Sequence, residues 1–159
     1  MLLLISCASM ETNTKKPLVA RIPFPEAEYA AIPTSGTGIV SGQAFLKIRG
    51  GDIKVAAGEK VILNPVTSYS NQWYNVSYLG HNQLGPPDQR IDKYLKIKIA
   101  DAQGRFRFKN VPPGEYYVTT VVSWEAPVGD QGALVRQGAR LCKKITVKNH
   151  EETKVILKQ

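Results

Sequence analysis

The sequence predicts an all-β fold, in which about seven antiparallel strands form a sandwich of two sheets. Three observations support this prediction. Several short runs alternate apolar and charged residues, as in RFRFK at 105–109, which is typical of a strand with one buried face. The chain of 159 residues contains 13 Gly and 10 Pro, a content that favours many turns over long helices. Strands and helices do not alternate along the chain, which argues against a parallel α/β sheet.

The predicted strands follow the apolar runs in chain order. The first covers residues 38–46, where Val40 and Ala44 share one face and the glycines allow a neighbouring backbone to come close. The second covers residues 61–65 and stops at a proline. The other five predicted strands cover residues 94–99, 105–109, 116–124, 139–148 and 153–157.

The pattern also predicts which side chains of one strand are buried and where one long loop lies. The strand at 94–99 alternates cleanly, and we expect Leu95, Ile97 and Ile99 to point into the core. The glycine-rich segment 127–138 is predicted to be a loop.

An insertion at 67–90 separates the second strand from the third. Tyr69 and Trp73 recur at helical spacing, which predicts one short helix in an otherwise all-β domain. Either of the two residues before Tyr69 can cap this helix, and Gly80 can end it.

The insertion also supplies the candidate binding residues. They are four aromatic side chains within ten residues, followed by a histidine and an arginine: Tyr69, Trp73, Tyr74, Tyr78, His81 and Arg90. If exposed, they suit a flat carbohydrate ring or a partner protein. If buried, they close one end of the sandwich. The sequence leaves both alternatives open.

The first residues resemble an export signal with a lipid attachment site. An apolar run ends in LISC at 4–7, which is similar to a bacterial lipobox. The resemblance implies a diacylglycerol on Cys7 and hence a membrane anchor. Alanine follows the cysteine, as in lipoproteins that are sorted to the outer membrane, so we expect an outer-membrane lipoprotein that faces the periplasm.

The chain therefore divides into three parts. Residues 1–7 are predicted to be a remnant of the signal, residues 8–35 an extended tether, and residues 36–159 the folded domain. The tether contains several prolines and a polar, aperiodic stretch, which favours extended backbone. Phe24 and Tyr29 are its exceptions, and we expect them to dock on the domain.

Charge and cysteine content narrow the possible partners. The net charge is +8, from 21 basic and 13 acidic residues. The basic residues are scattered along the predicted strands, so we interpret them as the solvated faces of the sandwich. An exported protein is not expected to bind nucleic acid. The second cysteine, Cys142, is predicted to be a buried, unreactive thiol.

The stretch DAQGRFRFKNVPPGEYYV at 101–118 carries the most specific motif. The chain there has an aspartate, a glycine, an aromatic strand and then a turn and tyrosine, formed by Asp101, Gly104, Phe106, Phe108, Pro113, Gly114 and Tyr116. Each of these residues has a folding role, because the aspartate caps a turn, the glycine permits it and the phenylalanines fill a core.

Together with GIVSGQAFL, VILNP and ITVKNHEETKVIL, this motif is similar to the carboxypeptidase regulatory-like domain. The resemblance covers residues 36–158. It implies a transthyretin-like, seven-stranded Greek-key sandwich.

The residues needed for catalysis on such a sandwich are missing from the sequence. Hydroxyisourate hydrolases carry a C-terminal Tyr-Arg-Gly-Ser, which does not occur here, and intradiol dioxygenases bind iron through two tyrosines and two histidines. The two histidines of this chain, His81 and His150, are far apart in sequence. No GxSxG motif and no zinc-binding spacing is present. We therefore predict no enzymatic activity, no metal and no cofactor.

Three functional hypotheses follow. The first is a non-enzymatic, lipid-anchored protein of the cell envelope, whose sandwich is a binding or structural module for another envelope protein. Its contact surface is the aromatic insertion or the segment 127–138. The alternative is a carbohydrate-binding module. An enzyme on a transthyretin-like scaffold is the third.

Overall fold

A computed structural model describes residues 16–129 and 132–159, and this part of the chain is mostly β. The strands are β1 (Leu18–Val19), β2 (Gly38–Lys47), β3 (Ile53–Val55), β4 (Lys60–Pro65), β5 (Gln83–Leu84), β6 (Lys96–Ile99), β7 (Arg105–Val111), β8 (Gly114–Val128), β9 (Ala133–Val147) and β10 (Glu152–Leu157). The helices are α1 (Glu26–Ala30), α2 (Ser68–Trp73), its π-helical continuation (Tyr74–Leu79) and a 3-10 helix (Gln89–Tyr94).

The described residues thus form ten strands rather than the predicted seven. The additional strands β1, β3 and β5 contain only two or three residues each. Strands this short are unpredictable from the sequence, because they display no alternating pattern.

Eight of these strands form two four-stranded sheets. In the first sheet β2 pairs with β3, β7 and β10, and in the second the order is β6-β4-β8-β9. The prediction of a purely antiparallel fold is wrong at two pairs, since β2 and β10 run parallel and so do β1 and β5. The chain crosses from β9 in the second sheet to β10 in the first, so β10 does not return beside β9 as a hairpin partner.

The two four-stranded sheets share one hydrophobic core. Val40 and Phe108 of the first sheet and Leu63 and Val118 of the second are at most 2% exposed and belong to the same cluster. Each fully buried side chain of this kind stabilises the fold by about 1.5–3 kcal/mol. Each sheet therefore buries one face against the other, which gives a sandwich-like arrangement.

The motif at 101–118 begins with a tight turn. Asp101 Oδ1 accepts hydrogen bonds from the backbone N–H groups of Gln103 at 2.9 Å and Arg105 at 2.8 Å. Gly104 has a φ of +73°, and a Cβ there would lie 2.6 Å from the carbonyl oxygen of Ala44. Only glycine fits this position, because a side chain would be strained in φ and would also collide with β2.

The second turn of the motif carries the chain from one sheet to the other. Strand β7 pairs with β2, whereas β8, which starts at Gly114, pairs with β4 and β9. The buried hydroxyl of Tyr116 donates to the carbonyl oxygen of Pro112 at 2.9 Å and holds this crossing in place. Burial raises the pKa of Tyr116 to about 12, so the phenol keeps its proton at physiological pH.

The prediction that the isoleucines of β6 point into the core is wrong. The residues of this strand alternate as predicted, but Ile97 and Ile99 are 49% and 59% exposed. In the register of β6 with β4, Ile97 lies opposite the half-buried Ile62, and Lys96 lies opposite the buried Leu63. The isoleucines therefore share the outer face of the sheet. Lysine can take the inner parity at this edge because its long stem reaches water.

The prediction that residues 127–138 form a loop is also wrong, because most of this segment belongs to strands β8 and β9. Strands β8 and β9 stay paired as far as Val128 opposite Ala133, so a long hairpin arm extends beyond the core. Gly129 and Gly132 have φ values of +73° and +65° and form the turn region. Gly138 lies inside β9 opposite Ser123.

The predicted tether is packed on the domain in its described part. Strand β1 pairs with β5 of the insertion, and the side chain of Gln72 exchanges hydrogen bonds with the backbone of Ala20 and Ile22. Phe24 and Tyr29 dock as expected, and Tyr29 is 1% exposed. Residues 16–35 are therefore not an extended spacer. The predicted lipobox with Cys7 lies outside the described residues.

Candidate functional site

The outer face of the second sheet carries a groove with a volume of about 610 Å³, which we call the outer groove. Its floor consists of side chains that point away from the core, among them Ile62, Ile99, Thr119 and Val121. The strand registers place them together, because Ile62 lies opposite Thr119 and Val121 lies opposite Arg140. A groove of this volume is of the size that holds a small ligand.

The insertion forms one wall of the outer groove. As predicted, it contains a short helix: the Thr67 hydroxyl accepts from the N–H of Ser70 at 3.2 Å, and the Ser70 hydroxyl accepts from the N–H of Thr67 at 2.8 Å. This capping box starts α2, and the π-helical continuation ends before Gly80, as expected. Tyr69 and Trp73 of α2 line the groove.

The 3-10 helix, which the sequence did not predict, extends this wall. Ile91 and Asp92 of this helix line the groove. The helix is tied to α2, since the hydroxyl of Tyr69 accepts from the N–H of Asp88 at 2.8 Å. The carboxylate of Asp88 in turn accepts from the N–H of Arg90 at 2.9 Å and caps the 3-10 helix.

Trp73 is the half-buried aromatic residue of the groove wall. Its ring lies 6.0 Å from the ring of Tyr78 and 6.4 Å, edge to face, from that of Tyr117. The guanidinium carbon of Arg140 lies 5.8 Å from its ring centroid. These contacts fix the indole where the wall meets the sheet.

Five charged side chains line the groove: Arg21, Glu59, Lys60, Asp92 and Arg140. Glu59 already has partners within the protein, because it accepts a hydrogen bond from the hydroxyl of Ser123 at 2.6 Å and pairs with Arg136 at 3.5 Å. Arg21 donates to the carbonyl oxygen of Gly85 at 2.8 Å, and its guanidinium lies 4.8 Å from the ring centroid of Tyr69.

Tyr74 and Tyr78 pack against the sheet as an aromatic stack. The ring centroid of Tyr74 lies 4.7 Å from that of Tyr117 and 5.4 Å from that of Tyr78. The hydroxyl of Tyr117 donates to the side-chain oxygen of Asn71 at 2.7 Å. Burial raises the pKa of the neighbouring Cys142 thiol to about 12, so this half-buried cysteine stays protonated.

The structure brings only part of the predicted set together. Tyr69 and Trp73 line the outer groove, while Tyr78 and His81 line a second depression of about 680 Å³ beside it. Arg140 borders both. The choice between exposed and buried aromatics thus has a mixed outcome, since Tyr69 is 1% exposed and the other three are half-buried.

Arg90 lines neither cavity. Its guanidinium pairs with Asp88 at 2.8 Å and with Glu26, and it lies 4.5 Å from the ring centroid of Phe24. The hydrogen bond from Arg90 lowers the pKa of Asp88 to about 2. Arg90 therefore serves to fasten α1 to the insertion, and the prediction that it joins the aromatic residues in one site is not supported by this geometry.

Sequence reasoning missed the floor of the groove and its arginines. One signal for the floor was available, because Val121 and Val122 are adjacent in β8 and an apolar pair on opposite faces indicates that both faces are covered. Arg140 lies opposite Val121, so it would have followed from the strand register. Nothing in the sequence connects Arg21 with the insertion.

The histidines are separate exposed loop residues, at φ values of 51° for His81 and 59° for His150. Nδ1 of His150 lies 3.3 Å from the hydroxyl of Thr37. Among residues 16–129 and 132–159, no three His, Cys, Asp or Glu side chains are grouped so that they could hold a metal ion. In the same part of the chain, no helix is long and apolar enough to cross a membrane.

The fold and the groove define a mostly β protein with a ligand-sized groove on the outer face of one sheet. A solved structure is similar to it: a candidate carbohydrate-binding protein from Pseudomonas aeruginosa. The two chains are 29% identical with a TM-score of 0.75, and the match covers 87% of this chain and 99% of the other. No family model matches the chain. No curated protein matches it either.

Proposed function

We propose that the chain is a non-enzymatic carbohydrate-binding protein and that its ligand lies in the outer groove. The observation that carries the proposal is the half-buried indole of Trp73 beside an apolar sheet floor, with charged and hydroxyl groups around it. Sugar rings have apolar faces that pack on aromatic and aliphatic side chains, while their hydroxyls need polar partners at the rim. Thr119, Asp92 and Arg140 supply such partners.

The similarity to the Pseudomonas aeruginosa protein supports this hypothesis over the alternatives. That protein is described as a candidate for carbohydrate binding, and the match extends over nearly its whole length. The match favours a glycan ligand over an envelope protein as the partner.

We further propose that the two sheets have the transthyretin-like Greek-key topology of carboxypeptidase regulatory-like domains. The turn at Asp101, the glycine at 104 and the crossing at Pro113 and Gly114 support this relationship, because each has the folding role expected from the motif. The lipid anchor on Cys7 and the outer-membrane location facing the periplasm stay predictions.

Glycan binding with a matched pair of variants tests the function. The wild-type protein is applied to an array of acidic and neutral polysaccharides, and retained ligands are then measured by titration calorimetry. Trp73→Ala should weaken binding about five- to thirtyfold, since an aromatic contact of this kind contributes on the order of 1–2 kcal/mol.

Leu79→Ala is the control, because it removes an exposed apolar side chain from the same insertion outside the groove. It should leave the affinity nearly unchanged in protein that circular dichroism shows to be folded. No glycan bound by the wild type, or equal losses in both variants, would contradict the proposal.

One observation favours a second candidate function, the binding of an envelope protein. The hairpin arm of β8 and β9 exposes apolar side chains, with Val128, Leu134 and Val135 at 50%, 66% and 43%. Exposed apolar residues on an edge strand are a common contact surface for proteins. Leu134→Asp should then abolish co-purification of a membrane-derived partner, whereas an unchanged co-purification would remove the arm from consideration.

A further inference from the structure

Two guanidinium groups of the outer groove have no anionic partner in the described part of the chain. Arg21 and Arg140 line the groove, and neither forms an ion pair with a carboxylate among residues 16–129 and 132–159. Each is instead held over an aromatic ring of the groove wall, Arg21 over Tyr69 and Arg140 over Trp73. The rings orient the guanidiniums without neutralising them.

Arg90, Arg107 and Arg136 differ in this respect, whereas Arg49 and Arg105, which also have no ion pair among the described residues, lie outside the groove. Arg90 pairs with Asp88 and Glu26, Arg107 with Glu152, and Arg136 with Glu59. Those pairs place a carboxylate beside the guanidinium N–H donors. At Arg140 these donors remain available to a ligand, and at Arg21 only one nitrogen is used, for the carbonyl of Gly85.

The balance of charge in the groove is positive. Its lining contains three basic and two acidic side chains, and one of the acids, Glu59, is already paired with Arg136. Asp92 is the acid without an ion pair among the described residues. A neutral sugar needs hydroxyl and amide partners, whereas two unpaired guanidiniums match a carboxylate, which they can bind through parallel hydrogen bonds.

We propose that the ligand of the outer groove is an acidic glycan, one whose uronate carboxylates are bound by Arg140 and Arg21 while a sugar face packs on Trp73. This inference rests on the proposed carbohydrate function and specifies its ligand class. The net charge of +8 acts in the same direction, because a basic protein attracts polyanions over a longer range.

The test compares acidic polysaccharides with their own neutral derivatives. The probes are polygalacturonate and hyaluronan, each with its carboxyl-reduced form, so that backbone and ring shape are kept while the charge is removed. We expect binding to the acidic form at least tenfold tighter than to the reduced form. The affinity should fall as the ionic strength rises.

Arg140→Gln should weaken binding of the acidic form about tenfold or more, and Arg140→Lys should restore only part of it, because lysine lacks the planar fork. Arg105→Gln is the control, since it removes the same charge from the exposed face of β7 in the other sheet. It should change affinity by less than about twofold.

The outcomes separate the two proposals. Equal binding of acidic and reduced polymers, binding of neutral polymers only, or equal losses in Arg140→Gln and Arg105→Gln would overturn the acidic ligand and leave the carbohydrate function standing. Absence of binding to every polymer of this set and of the array would overturn both.

Discussion

The outer faces of the two sheets differ in almost every respect. The first sheet presents a solvated polar face, on which Glu152 accepts from Arg107 and from the hydroxyl of Ser41, both at 2.6 Å. The second presents isoleucine, valine and aromatic side chains, and the insertion covers part of it. Both faces belong to one sandwich, and the contrast follows the insertion, which packs on the second face. In the proposed function, the part of this apolar face that the insertion leaves open is the ligand site.

The largest expected effect is a loss of stability, and it tests whether the insertion is packed on the second sheet. Tyr117 points outward from β8 yet is only 4% exposed, because the insertion covers it. Tyr117→Ala should reduce the free energy of unfolding by about 3–5 kcal/mol, as for a core aromatic. Arg107→Ala, at an outward position of the first sheet, should cost less than about 1 kcal/mol.

Urea denaturation followed by circular dichroism measures both variants. Similar costs for Tyr117→Ala and Arg107→Ala would mean that the outer faces are equally solvated, and the comparison between the sheets would be lost.

A smaller effect concerns the cap of α2. Thr67→Ala removes the acceptor for the N–H of Ser70 and should lower the free energy of unfolding by about 1 kcal/mol. It should also weaken ligand binding, because α2 carries Trp73. Thr153→Ala on the first sheet removes a hydroxyl that donates to the carbonyl oxygen of Thr146 at 3.1 Å, so it should cost about 0.5–1 kcal/mol but leave binding unchanged. Thermal melting with and without ligand checks both variants. Equal effects of the two substitutions on binding would contradict the proposal that α2 forms a wall of the ligand site.

The smallest effect is the acid dependence of the two regions. A hydrogen bond from Arg90 holds the pKa of Asp88 at about 2, below its ordinary 3.8. Because the folded state binds this proton less readily than the unfolded chain, the stabilisation is fully present above pH 3.8 and is lost as the pH falls towards about 2. Asp88→Asn should therefore flatten the acid side of a melting-temperature curve in that range.

The corresponding group of the first sheet is Glu152. The hydrogen bond from Ser41, and secondarily the charge of Arg107, lower its pKa from 4.5, so its contribution begins to disappear at a higher pH than that of Asp88. Glu152→Gln should flatten the curve just below pH 4.5. The reverse order of the two ranges in these variants would contradict the assigned hydrogen bonds.

Local chemistry explains which features were predictable from the sequence. The turn at Asp101 and Gly104, the buried phenylalanines and the cap of α2 depend on residues close together in the chain, and all of them follow from side-chain chemistry and spacing. The outward orientation of Ile97 could not be predicted in this way, because period-two alternation identifies two faces of a strand without showing which one is buried. That assignment depends on β6 being an edge strand and on an insertion that covers the opposite face.

The site was harder to predict than the fold for the same reason. Trp73 could be recognised as a candidate because exposed or buried tryptophan is informative in either case. Arg21 and Arg140 come from segments 119 positions apart in the numbering and meet only through the pairing of β1 with β5 and of β8 with β9. Arg90 has the charge expected of a binding residue, but it pairs with Glu26 and Asp88 instead of joining the groove.

The packing of residues 16–35 on the domain limits the distance that could separate the domain from a membrane anchor. Lys16 already contacts the insertion, through a hydrogen bond to the carbonyl oxygen of His81 at 2.9 Å. With a lipid on Cys7, as the lipobox resemblance predicts, only the eight residues 8–15 would separate the anchor from the domain. A fully extended chain of that length spans at most about 29 Å. Under that prediction Lys16 would lie within about 29 Å of the anchored residue, so the glycans that the domain meets would be those near the membrane surface.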